Sequence, residues 1–278
     1  MLETREIKFL PKIPLASITT DAGCVREANE DSGRHNNPND TETKQNRGTL
    51  TIVADGMGGH ASGEVASQMA IELVSFYYYA DEENSAPEAL RKAIQQANLE
   101  IYETSLTDEK YYGMGTTIIA LVLLKDIGYV AHVGDSRLYR LRDKDLMMMT
   151  MDHSQVMEMV KQGIISFEAA RNHDDKNVIL RAVGTQKVVE VEVSEAFEVQ
   201  SNDEFLLCSD GLSDMVEDEE INRIWARAKN IHEASESLVE RAKDHGGHDN
   251  VTVAIVRMPA ENEIIATRNV PITREMGV

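Results

Sequence analysis

The chain has 278 residues, 42% of them hydrophobic, enough to bury one large core. Its 48 acidic against 28 basic side chains leave a formal charge of −20, which repels nucleic acid and anionic lipid, so neither is expected as a partner. No apolar stretch is long enough to span a bilayer, the first ten residues lack a signal-peptide core, and the two cysteines fit a reducing compartment, so a cytoplasmic setting is expected. In chain order, Leu15 to Gly23 reads as a first strand after a proline-punctuated lead-in, and the polar stretch Arg34 to Gly48 as a loop. Thr49 to Ala54 is a second strand. Val65, Met69, Leu73 and Phe76 mark the inner face of one helix. Pro87 opens another, with Leu90, Ile94, Ala97 and Ile101 on one face. Residues 116–124, 128–133, 137–141 and 146–150 read as a meander of strands. Residues 152–183 are polar and helix-prone. Strands return at 188–193, 204–209 and 251–257, with helices at 218–228 and 231–243 between the last two. Cys24 and Cys208 lie in strand-like apolar runs and read as buried thiols.

Runs of strands separated by pairs of helices argue for antiparallel sheets with helices packed outside them, and against a doubly wound parallel sheet. One compact domain is expected over 1–278, with a core at about 15–258, a flap at 154–183 and a tail from 259.

Four carboxylates stand at strand ends beside glycine or a turn. Asp55 closes an apolar run in Thr51-Ile-Val-Ala-Asp-Gly-Met-Gly-Gly-His60, and Asp210 does the same in Phe205-Leu-Leu-Cys-Ser-Asp-Gly-Leu-Ser-Asp214. Asp31 ends Arg26-Glu-Ala-Asn-Glu-Asp31, and Asp249 precedes the last strand in Gly246-Gly-His-Asp-Asn-Val-Thr252. Strands fix such side chains, and oxygen donors of this kind suit hard divalent cations. Neither cysteine sits in CxxC and no HExxH spacing occurs, which argues against zinc. An Asp-Gly pair is also an ordinary turn, so any one of these carboxylates taken alone could be structural.

Eight segments in order carry a resemblance: Arg26-Glu-Ala-Asn-Glu-Asp-Ser32, Val53 to Ser67, Gly113-Met-Gly-Thr-Thr117, His132-Val-Gly-Asp-Ser-Arg137, Asp152-His-Ser154, Asn177 to Gly184, Ser209 to Asp214 and Asp249-Asn-Val-Thr252. Across residues 17–257 the chain resembles bacterial metal-dependent, type 2C (PPM) protein serine/threonine phosphatases. The resemblance implies an α+β fold, a four-layer αββα sandwich of two antiparallel sheets flanked by helix pairs. It implies a binuclear manganese or magnesium centre with a third, weaker ion. By position, Asp31, Asp55, Asp210 and Asp249 match the metal carboxylates, and Gly56 matches a backbone-carbonyl ligand. Asp135 and Asp214 match the third site, Glu30 an acidic neighbour that holds metal-bound water, and Arg26 an arginine that contacts substrate phosphate.

The reaction implied is hydrolysis of phosphoserine and phosphothreonine in proteins by a hydroxide bridging two metals, opposing serine/threonine kinases. Phosphorylated proteins and a kinase are the implied partners, and a monomer is the default. The alternative is a catalytically silent phosphoprotein-binding module of the same fold, and a hydrolase of small phosphate esters is a third reading. A histidine that follows the Asp-Gly pair in many relatives is replaced here by Met57, so His60 reads as a structural hydrogen-bonding group, and His153 as local scaffold. Thr116 and Thr117 read as β-branched strand formers.

Overall fold

The computed structural model describes residues 13–58 and 62–260. In chain order these form β1 (Leu15–Asp21), β2 (Asp31–Asn36), α1 (Thr41–Arg47), β3 (Thr49–Met57), α2 (Ser62–Ala80) and α3 (Ala86–Ser105). Then come β4 (Gly115–Thr116), β5 (Ile118–Leu124), β6 (Ile127–Val133), β7 (Arg137–Arg142) and β8 (Asp145–Met148). Two short helices follow, α4 (Gln155–Lys161) and α5 (Phe167–Arg171), and then β9 (Glu192–Val193), β10 (Phe197–Glu198) and β11 (Glu204–Cys208). The last elements are α6 (Asp210–Ser213), α7 (Asp218–Trp225), α8 (Ile231–Asp244) and β12 (Val251–Arg257).

The strands build two antiparallel sheets, ordered β1-β12-β11-β7-β8 and β10-β6-β5-β3-β2, with β4 paired to β3 and β9 to β6. Period-2 alternation explains the layers. In β5, Ile119, Leu121 and Leu123 face the other sheet, where they meet Leu138, Phe205, Leu207, Ala254 and Val256. The alternate residues Ile118, Ala120 and Val122 face α2 and α3. A strand covered on both sides reads as one unbroken apolar run, as Ile118–Leu124 does. The β1-β12-β11-β7-β8 sheet uses Leu206, Cys208, Val253 and Ile255 to hold Ile221, Trp225, Leu238 and Val239 of α7 and α8. The chain is therefore an α+β, four-layer αββα sandwich, as its sequence implied.

Several local expectations need correction. The polar loop expected at 34–48 holds the end of β2 at 34–36, so the strand from Thr49 is the third, and it holds the helix α1, because Asp40 caps that helix by accepting from the Thr43 N–H at 2.7 Å. Its Arg47 is buried and donates to the Asn84 carbonyl. Phe76 is 65% exposed; α2 instead buries Ala66, Ala70, Ile71, Val74 and Tyr78. A helix with apolar residues on several faces allows more than one inner stripe, and here small alanines let it approach the sheet. Cys24 is exposed in the loop after β1, whereas Cys208 is buried in β11. The strand expected at 188–193 shrinks to β9, and the run expected at 116–124 breaks at Thr117. His60, the lead-in before residue 13 and the tail beyond residue 260 lie outside the described residues.

Candidate metal centre

Antiparallel pairing brings the acidic residues to one end of the sandwich. Asp31 begins β2 and Asp55 lies near the end of β3, and the two are direct partners in the ladder. Asp135 sits in the β6–β7 connection, Asp210 follows β11, and Asp249 precedes β12. Like charges set directly opposite on neighbouring strands are destabilising unless something offsets them.

The carboxyls feel one another. Burial pushes Asp55 well above the carboxylate range, and the charges of Asp31, Asp210, Asp135 and Asp249 push it further. Asp210 is raised in the same direction by burial, then by Asp135, Asp214, Asp249 and Asp31. Burial lifts Asp31 to about 6, despite a bond from the Ser209 hydroxyl to its Oδ2 at 2.7 Å. Asp135 is lifted to about 7, first by burial and then by Asp152. Three oxygens of this set, Asp31 Oδ1, Asp135 Oδ1 and Asp210 Oδ1, are buried with no hydrogen-bond partner. Buried acceptors left unpaired are costly and call for a cation. The donor set, carboxylate oxygens without sulfur or imidazole, fits a hard divalent ion.

The frame around these side chains is closely specified. A Cβ on Gly56 would lie 2.2 Å from the Gly63 carbonyl and 2.5 Å from that of Glu30; one on Gly211 would lie 1.9 Å from the Asn250 carbonyl. Both Asp-Gly pairs therefore need glycine for close approach, beyond any turn preference. The Gly56 N–H donates to the Glu30 carbonyl at 3.1 Å, and the Ser67 hydroxyl donates to the same oxygen at 2.6 Å. The Glu30 carboxyl accepts from the Gly63 N–H at the start of α2, and burial raises it. Asn250 clips the 22–30 loop by donating to the Ala22 and Ala28 carbonyls and accepting from the Glu30 N–H. Arg26 forms a 2.8 Å ion pair with Asp249, both partly exposed.

Thr116 and Thr117 do more than favour a strand. The Thr117 hydroxyl accepts from the Asp55 N–H at 3.0 Å, and the Thr116 hydroxyl donates to the Asp55 carbonyl at 2.8 Å. Ser209 likewise holds Asp31 while accepting from the Thr252 N–H. Sequence reading missed these positioning groups because a hydroxyl in a strand leaves no spacing signature.

On the other side of the centre, Asp214 closes α6 one turn after Asp210 and is paired with Lys176 at 2.6 Å. Arg137 and Asp152 form a buried two-pronged pair, also at 2.6 Å. A cavity of about 300 Å³ separates this wall from α5, lined by Asp135, Asp152, Ser154, Lys176, Asp210 and Asp214 among others.

Among the described residues, the one trio of ligand-type side-chain atoms mutually within 4.8 Å is His132, His153 and Glu192, which sequence spacing could not have paired. The imidazoles are stacked, with centroids 4.5 Å apart and planes 13° apart, so their in-plane lone pairs cannot converge on one ion. His132 Nε2 is instead bonded to the Met151 carbonyl, and His153 Nδ1 accepts from the Gly134 N–H beside Asp135.

Among the described residues, no helix is long and apolar enough to cross a membrane. Residues 29–244 match the profile of the protein phosphatase 2C family. The serine/threonine phosphatase stp of Listeria welshimeri is 40% identical over 245 residues, which is 87% of this chain and 94% of that one. The crystal structure of the Mycobacterium tuberculosis serine/threonine phosphatase PstP/Ppp superposes with a TM-score of 0.79 at 35% identity, covering 89% of this chain and 99% of that chain. The catalytic domain of a serine/threonine protein phosphatase PstP, solved in complex with 2 manganese ions, gives 0.75 at 33% identity over 89% of this chain and 99% of that one. Fold, acidic cluster and sequence agree: the chain belongs to the protein phosphatase 2C family, as a bacterial PPM-type protein serine/threonine phosphatase.

Proposed function

We propose that this chain hydrolyses phosphoserine and phosphothreonine in proteins with a pair of divalent ions, manganese or magnesium, and so opposes serine/threonine kinases. The observation that carries the reading is the set of buried, unpartnered oxygens Asp31 Oδ1, Asp135 Oδ1 and Asp210 Oδ1 within a ring of mutually repelling carboxylates. The relative PstP domain was solved in complex with 2 manganese ions, which supports a pair of ions for this cluster. Bound ions would supply the acidity that turns water into an attacking hydroxide and the charge that offsets the phosphoryl oxygens, with no phosphoenzyme formed.

Asp31, Asp55, Asp210 and Asp249 would hold the two ions together with the Gly56 carbonyl, and Asp135 and Asp214 a third. Glu30, fixed at the start of α2, would orient water. Arg26 would turn from Asp249 to make a two-pronged contact with phosphate, a geometry lysine lacks. Residues 154–183 would act as a flap that selects phosphoprotein substrates. One domain, acting as a cytoplasmic monomer on phosphoproteins, completes the proposal.

Phosphate release from a phosphothreonine peptide, measured with manganese, with magnesium and with a chelator, tests it. Turnover should need metal and fall at least about a hundredfold in Asp210→Ala, the scale on which a central electrostatic group acts. No turnover with any metal would mean a silent binding module instead.

A further inference from the structure

The pairing of Asp214 points to a built-in competitor for the outermost cation. Lys176 extends its ammonium across the 300 Å³ cavity wall and places Nζ 2.6 Å from Asp214 Oδ2. Asp214 stands one helical turn from Asp210, and its charge reaches both Asp210 and Asp135. Asp135 is 7% exposed and lines the same cavity, and its Oδ1 has no hydrogen-bond partner. We propose that Lys176 is a tethered cation that occupies Asp214 when divalent ions are scarce, and that a third ion displaces it and frees residues 174–177 of the flap. This rests on the phosphatase reading only for the identity of the competing ion.

The length of the freed segment follows from its anchors. On one side, Arg171 donates to the backbone carbonyls of Ser213 and Val216, contacts that an ion does not contest. On the other, the Gln155 N–H bonds the Val178 carbonyl and the Leu180 N–H bonds that of His153. Between them Asn172 and His173 donate their N–H groups to the Ala169 and Ala170 carbonyls of α5, the Lys176 N–H bonds the His173 carbonyl and the Val178 N–H that of Asp175, so residues 174–177 depend most on the Lys176–Asp214 pair. Displacing the ammonium would therefore loosen one short stretch that walls the cavity, and leave α4 and α5 in place. The wall beside a phosphoprotein substrate would then respond to divalent-ion concentration.

The test uses the full chain and manganese alone as probe. Free manganese is followed by its paramagnetic resonance to count ions and rank their affinities, and amide exchange is read at 174–177 along the same titration. In the unsubstituted protein, exchange in this segment should rise only as the weakest ion binds. Lys176→Met, which keeps the stem and loses the charge, should exchange fast without ions. It should bind that last ion about fivefold more tightly, the scale of one partly exposed ion pair. Lys176→Arg should restore the unsubstituted behaviour. An unchanged weakest affinity in Lys176→Met, or flap exchange that ignores the last ion, overturns the proposal. Binding of two ions only, in both forms and with peptide turnover intact, overturns the latch and leaves the phosphatase reading standing. Binding of no ion overturns both.

Discussion

Stripping divalent ions should make this protein less stable as pH rises, opposite to ordinary acid unfolding. An unfolded aspartate titrates near 3.9. In the folded chain Asp31 is held at about 6 and Asp135 at about 7, both chiefly by burial. Between those limits the native state binds more protons than the unfolded chain, so unfolding free energy must fall with rising pH. The stability is fully present below the unfolded value and is lost as pH passes through about 6 to 7. For Asp31, a rise from 3.8 to about 6 corresponds to a loss of about 3 kcal/mol. Asp135 adds to this but shares the same field, so the two losses do not simply sum.

Urea unfolding in chelator, at about pH 4 and about pH 7, measures the difference. Saturating manganese should abolish or reverse the slope, because ion binding favours the deprotonated ligands. Asp31→Asn keeps an oxygen that can accept from Ser209 and removes the charge opposite Asp55. In chelator near neutral pH it should be more stable than the unsubstituted chain, by up to about 3 kcal/mol, and have a shallower slope. A chelated protein equally stable at both pH values, or an Asp31→Asn variant with the original slope, would refute the reasoning.

Gly211→Ala places a methyl 1.9 Å from the Asn250 carbonyl and should cost about 3 kcal/mol or more in urea unfolding. Asp152→Ala leaves the buried Arg137 guanidinium without its two-pronged partner and should cost about 3–5 kcal/mol by the same measure. Thr117→Val removes the acceptor for the Asp55 N–H and the bond to Ser136. It should lose about 1–3 kcal/mol and weaken manganese binding measured by calorimetry.

Much of this centre was legible in the chain, because its metal-type carboxylates sit at strand ends where local pattern is strong. The apolar run before Asp55, the second before Asp210 and the β-like run after Asp249 each fix a side chain within a few residues of an element boundary. Periodicity also gave the inner face of α3, whose Leu90, Ile94, Ala97 and Ile101 are all buried. In α2 it found Val65, Met69 and Leu73, which are partly buried against the core, but it also took in the exposed Phe76 and missed the fully buried stripe of Ala66, Ala70, Val74 and Tyr78, since nothing local tells an alanine stripe from a Met–Phe stripe as the face against a sheet. Asp40 and α1 were lost in a polar stretch that carried no apolar rhythm.

The sequence by itself determined most of the long strands and helices and the acidic character of the candidate site, because these follow from neighbours along the chain; it did not show β2, which carries Asp31, or α1. Only the tertiary structure decided that Asp31 faces Asp55 across a ladder and that Thr117 and Ser209 steady them. It alone brought Lys176 to Asp214 across 38 residues, and His153 to His132 as a stack. Such contacts depend on sheet register and layer packing, which are settled by the whole core at once and leave no trace in any short window of residues.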